Sequence, residues 1–132
     1  MNRNREKNAE TKFKTILLVD DNPSVLEVVS ILLHEFGYTI IATSCPLKGI
    51  AIASDSQQQI DLVLTDIDMP TMNGIQMVEQ ITAIRPGIRA LFISGGHTFG
   101  LQNKHIDVQT NFIPKPLGYK VLQGKLKELF AE

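Results

Sequence analysis

The sequence predicts an α/β domain doubly wound about a five-stranded parallel sheet, and two observations carry that reading. Short apolar runs alternate along the chain with stretches of helical periodicity. The runs are continuously apolar rather than alternating, the pattern of strands covered by helices on both faces.

The elements follow in order. Residues 1 to about 14 lack apolar periodicity and read as a flexible leader, so the folded domain is expected over 15–132. The first strand is Ile16-Leu17-Leu18-Val19, followed by a helix from Pro23 to Phe36. Asn22 is placed to cap that helix, Pro23 suits its first turn, and Gly37 can take the left-handed conformation that ends it. Val25, Val28, Leu32 and Phe36 are its expected apolar face. Next come a strand at Thr39-Ile40-Ile41-Ala42, a helix after Pro46, and a third strand at Leu62-Val63-Leu64. A helix from Gly74 to Ile84, with Ile75, Val78 and Ile81 inward, is stopped by Arg85-Pro86-Gly87, because proline and the residue before it resist helical continuation. Ala90-Leu91-Phe92-Ile93 and Asn111-Phe112-Ile113 are the last two strands, and a helix closes the domain at Phe130. Between them, 97–109 offers only Leu101, Ile106 and Val108 for burial, so a further helix there is expected to be short. The pattern gives five strands and up to five helices.

Composition narrows the function. At 43% hydrophobic and 20% charged residues the chain is globular. Its net charge is −1, and the first fourteen residues hold five basic and two acidic side chains, which leaves about −4 on the remainder. An acidic body offers no cationic footprint for nucleic acid, so no direct nucleic-acid binding is expected. One cysteine, Cys45, allows no intramolecular disulfide and no thiol-rich zinc site. His34, His97 and His105 lack metal-ligand spacing, and Met69, Met72 and Met77 read as packing. No apolar run approaches a bilayer span and the N-terminus is charged, so a cytoplasmic, non-membrane protein is expected.

In an open parallel sheet ligands bind beyond the carboxyl ends of the strands. Those positions here are Asp20-Asp21, Asp66 followed by Asp68, Ser94, and Pro114-Lys115-Pro116. Two carboxylates about 4 Å apart repel by about 4 kcal/mol at an effective dielectric near 20. A Mg2+ ion offsets that, since it favours hard oxygen ligands and completes its shell with water and phosphate oxygens. Lys115 and the Ser94 hydroxyl can meet phosphoryl oxygens. Asp66, at the expected middle strand, is the candidate nucleophile, able to attack phosphorus and form an acyl phosphate. Any one of these residues alone is an ordinary solvated turn or helix start; their joint placement at strand ends carries the reading.

Over about Thr15 to Phe130 the chain resembles the receiver domains of two-component response regulators. The resemblance rests on Ile16 to Asn22, Asp66-Ile67-Asp68-Met69-Pro70 with Gly74, Ser94 at the fourth strand, and Lys115-Pro116. It implies a flavodoxin-like strand order of 2-1-3-4-5. It also implies that Asp21 and Asp66 ligate Mg2+ directly, with the backbone carbonyl of Asp68 as a third ligand and Asp20 acting through water. The implied reaction is transfer from a phosphohistidine on a histidine kinase or phosphotransfer protein to Asp66. Ser94 then moves toward the phosphoryl group and Phe112, at the aromatic switch position, turns inward. Asp68 and Gly96 hold positions that flank the phosphoryl site in relatives. Gly95-Gly96 after Ser94, and the missing Gly-Ala pair before the fifth strand, depart from the family pattern.

The expected protein is therefore a phosphoacceptor signalling domain rather than an enzyme, a monomer or a phosphorylation-dependent dimer that acts on a downstream protein target. With the chain ending soon after its last helix, no output domain is expected. Two rivals stand beside this reading. Leu62 to Asp68 also resembles the nucleophile motif of haloacid-dehalogenase-type phosphatases, although those place it on the first strand. The other rival is a receiver-like scaffold that binds partners without phosphorylation. A nucleotide-binding domain is disfavoured, since no glycine-rich phosphate loop follows any strand.

Overall fold

The computed structural model describes residues 14–95, 104–107 and 109–131. Five parallel strands, β1 (Thr15–Val19), β2 (Thr39–Thr43), β3 (Leu62–Asp66), β4 (Arg89–Ser94) and β5 (Phe112–Pro114), form one sheet in the order β2-β1-β3-β4-β5. Among the described residues there are four helices, α1 (Pro23–Glu35), α2 (Pro46–Ser54), α3 (Gly74–Ile84) and α4 (Tyr119–Phe130). The further helix expected within 97–109 falls largely outside the described residues, as does the expected leader apart from Lys14.

Successive strand side chains point to opposite faces, so each continuous apolar run feeds two cores. Ile16, Leu18, Leu62, Leu64, Leu91 and Ile93 pack beneath α1 and α4 with Val29, Leu33, Leu122 and Leu126. Leu17, Val19, Val63, Phe92 and Phe112 pack on the other face with Ala53 of α2 and Met77, Val78 and Ile81 of α3. Edge strand β2 is more open than the fully buried β1 and β3.

The caps fall where the residue types require. Asn22 Oδ1 accepts from the backbone N–H groups of Ser24 and Val25. Gly37 has a φ of 98° just past α1. Asn73 and Gln76 form a reciprocal capping box at the start of α3. The expected inward face of α1 needs one correction, because Val28 is 55% exposed while Val29 and Leu33 are buried. Adjacent valines satisfy helical spacing equally well, and only the tilt of α1 over the sheet decides between them.

Candidate functional site

The site is assembled by backbone geometry at the carboxyl rim of the sheet. Asp20 follows β1, and its N–H donates to Thr43 O, carrying the ladder one residue further. Its Oδ1 accepts from Asn22 N–H at 2.9 Å, which turns the chain into α1. Asp66 is the last residue of β3, on the central strand, opposite Ile93 of β4. The chain then folds back: Gly74 N–H donates to Ile67 O, and a Cβ at position 74 would lie 2.2 Å from Asp66 O. That contact requires glycine. Thr71, in the intervening turn, has a φ of 74°, a left-handed conformation that a β-branched residue rarely adopts. Lys115 N–H donates to Ser94 O at 2.9 Å, tying the lysine to the end of β4.

These constraints converge the side chains named from sequence. Carboxylate oxygens of Asp20, Asp21 and Asp66 lie within 4.8 Å of one another. Lys115 Nζ is 3.5 Å from Asp66 Oδ1 and 3.7 Å from Asp20 Oδ2. Ser94, buried at the end of β4, donates from Oγ to Asp68 Oδ2 at 2.9 Å. Phe112 is 6% exposed, inside the core.

The electrostatics are strained. Burial pushes the Asp66 carboxyl up to about 6, a rise that Lys115 opposes and the charges of Asp20 and Asp68 reinforce. Burial also raises Asp20, against the Asn22 N–H and Lys115, with Asp21 adding to the rise. Asp20 Oδ2 and Asp66 Oδ1 are buried with no hydrogen-bond partner among the described residues. One ammonium at 3.5 to 3.7 Å leaves the charge of three acids unbalanced. Hard oxygen donors, crowded and under-satisfied, fit a small dication such as Mg2+.

The family model of the response regulator receiver domain matches residues 16–127. This chain belongs to that family. A receiver domain serves phosphorylation-dependent signalling in two-component systems, and the phosphatase and scaffold readings are not favoured by its relatives. The chain is 28% identical to the sensor kinase CckA of Brucella abortus over 119 residues, which is 89% of this chain and 13% of that protein. It is 32% identical to a putative two-component response regulator of Arabidopsis thaliana, ARR13, over 105 residues, covering 77% of this chain and 18% of that one. It thus spans less than a fifth of either relative. Among solved structures, the receiver domain of the hybrid histidine kinase CckA superposes with a TM-score of 0.74 at 26% identity, covering 89% of this chain and 99% of that chain. A CheY-like receiver domain protein from Methanospirillum hungatei gives 0.76 at 28% identity, covering 89% and 93%. Among the described residues of this receiver domain, no helix is long and apolar enough to cross a membrane.

Sequence reasoning placed Asp68 beside the phosphoryl site and named its backbone carbonyl, but missed its side-chain contact with Ser94. The only local signal was a fourth acid two residues beyond Asp66. It also quoted Gly74 without its cause, which is the close approach to Asp66 O.

Proposed function

We propose that Asp66 is the phosphoacceptor of this receiver domain, taking its phosphoryl group from a phosphohistidine on a histidine kinase or phosphotransfer protein. The observation that carries this is a buried carboxylate on the central strand whose Oδ1 has no hydrogen bond among the described residues and is ion-paired to Lys115 Nζ at 3.5 Å. An Asp66 oxygen attacks phosphorus, the P–N bond breaks, and the imidazole nitrogen keeps the electron pair. Lys115 and Ser94 meet the phosphoryl oxygens, so that catalysis is positioning and charge neutralisation. Asp20, Asp21, Asp66 and the backbone carbonyl of Asp68 would hold Mg2+, which when bound supplies positive charge against the carboxylates and the transferring group. The phosphorylated domain then acts in the cytoplasm on a downstream protein target, through the packing around Ser94 and Phe112.

Intact-mass measurement after incubation with acetyl phosphate and Mg2+ tests this, comparing the native chain with Asp66→Asn. One phosphoryl adduct is expected on the native chain, dependent on the metal and lost in the variant. An adduct that persists in Asp66→Asn, or no adduct from acetyl phosphate or a phosphorylated kinase, overturns the assignment.

A further inference from the structure

The sheet has two edges, and they are built differently. Edge strand β5 is three residues long, ends on Pro114 and runs straight into Lys115. Short length, a proline and an adjoining lysine are devices that keep a sheet edge from pairing with another strand. Edge strand β2 has none of them: Thr39-Ile40-Ile41-Ala42-Thr43 is five uncharged residues, four of them β-branched, with no proline. Thr39 and Ala42 are exposed and Ile40 and Ile41 half-buried, whereas every residue of the neighbouring β1 is buried.

The outward hydrogen-bonding groups of β2 can be assigned residue by residue. In a parallel ladder one residue directs its N–H and C=O to one side and the next residue to the other. Thr39 N–H donates to Lys14 O, and Thr43 O accepts from Asp20 N–H, so residues 39, 41 and 43 face β1. The N–H and C=O of Ile40 and Ala42 therefore point away from the sheet, where no backbone group among the described residues meets them. This pattern is self-complementary. A second β2 laid antiparallel about a twofold axis at Ile41 sets Ile40 opposite Ala42 of the partner subunit and Ala42 opposite the partner's Ile40, each pair exchanging two backbone hydrogen bonds. Ile41 then meets its own counterpart as the closer, non-hydrogen-bonded kind of pair, on the layer it shares with α2 and α3.

We propose that the β2 edge is a self-association site, through which a second copy of this chain extends the sheet across a twofold axis at Ile41. Any extended strand can meet the backbone groups; the side chains favour a second copy. Ile41 packs on Ile41, Thr39 lies opposite Thr43, and the strand brings no charge to be buried or repelled at the axis. Antiparallel pairing points the carboxyl rims of the two copies in opposite directions, so both acid sites stay open and the association does not depend on Asp66. A contact confined to one strand from each copy buries less than a standard interface, so the dimer is weak and forms as concentration rises.

Sedimentation equilibrium of the full chain at concentrations up to about 1 mM tests this, beside Ala42→Pro and Ala42→Lys. Proline at position 42 removes an outward N–H and no bond to β1, so the fold should be kept. Lysine at the same exposed position leaves the backbone intact and brings like charges together near the axis. The native chain is expected to pass from monomer toward dimer across this range, and each variant to weaken association by at least about tenfold with an unchanged circular dichroism spectrum. Cross-linking in a Cys45→Ser background reads the register. Ile41→Cys should give a disulfide-linked dimer under mild oxidation, whereas Thr39→Cys should link to Thr43→Cys and not to itself. A native chain that stays monomeric over the whole range overturns the inference, as does a dimer that both Ala42 variants leave intact, or a cross-link of Thr39→Cys to itself in place of Ile41→Cys. A monomeric chain that instead binds a phosphorylated histidine kinase less well after Ala42→Pro gives the edge to a partner's strand, and overturns the second copy equally.

Discussion

At the amino-terminal rim of the sheet, Asp61 Oδ2 accepts two hydrogen bonds of 2.7 Å, from Thr15 N–H and from Gln59 Nε2. Beside it, Arg85, which follows α3, donates to the backbone carbonyls of Ala53, Asp55 and Gln58 at 2.7 to 2.9 Å, fastening the end of α2 and the loop beyond it. At the carboxyl rim of the same sheet, Asp20 and Asp66 each bury an oxygen with no hydrogen-bond partner among the described residues. One rim satisfies its polar groups internally and contributes stability; the other leaves two buried carboxylate oxygens without a hydrogen bond, which costs folding free energy. Charge alone does not separate them, since both hold carboxylates and a cation. Hydrogen-bond completeness does.

The sharpest way to break this comparison is to remove the arginine. Arg85→Ala strips donors from three carbonyls and should lower the unfolding free energy by about 3 kcal/mol. Denaturant titration reads it, and an unchanged midpoint would mean that water replaces the guanidinium without loss.

At the carboxyl rim the sign reverses. Asp66→Asn should raise metal-free stability at neutral pH by about 1–2 kcal/mol, although it removes the proposed phosphoacceptor. The same physics gives a pH dependence. The folded Asp66 carboxyl titrates near 6 against an ordinary value of 3.8, so the folded state holds that proton more tightly than the unfolded chain. Its protonated form therefore favours folding below about pH 4, and the contribution is lost as pH rises through 6, on the order of 2 kcal/mol. Asp20 is shifted in the same direction. Thermal unfolding in EDTA from pH 4 to pH 7 should show this fall beyond that of Asp66→Asn, and Mg2+ should remove it. A metal-free native chain whose profile matches the variant's would place the strain elsewhere.

The smallest expected effect concerns Thr71. Asparagine tolerates the left-handed region better than a β-branched residue, so Thr71→Asn should stabilise by about 0.5–1 kcal/mol. Parallel melting curves of the two proteins decide it, and a destabilised variant would show that the threonine side chain matters more than its backbone strain.

The sequence made the carboxyl rim more legible than the amino rim, for a physical reason. Asp20, Asp66, Ser94 and Lys115 directly follow apolar runs, so reading the strands also locates the site. Arg85 acts on carbonyls 27 to 32 residues away in sequence, and no local pattern marks such a contact. The order of elements was legible from periodicity, whereas the orientation of α1 was not, because Val28 and Val29 fit the helical spacing equally and only packing chooses. The link between Ser94 and Asp68 depends on the fold of the turn after β3, where Thr71 and Gly74 take positions that composition does not reveal.

Strand β5 is registered to its neighbour over only three residue pairs, where β1–β2 and β3–β4 have five each. It lies at the sheet edge, carries Phe112, and leads directly to Lys115. Local opening follows the number of ladder bonds and the contacts that must break. Phe112 and the approach to Lys115 thus lie on the strand with the shortest fastening, which should open before β1 and β3 do. Because Phe112 and Ile113 each belong to a core layer, any opening of β5 is felt on both faces of the sheet.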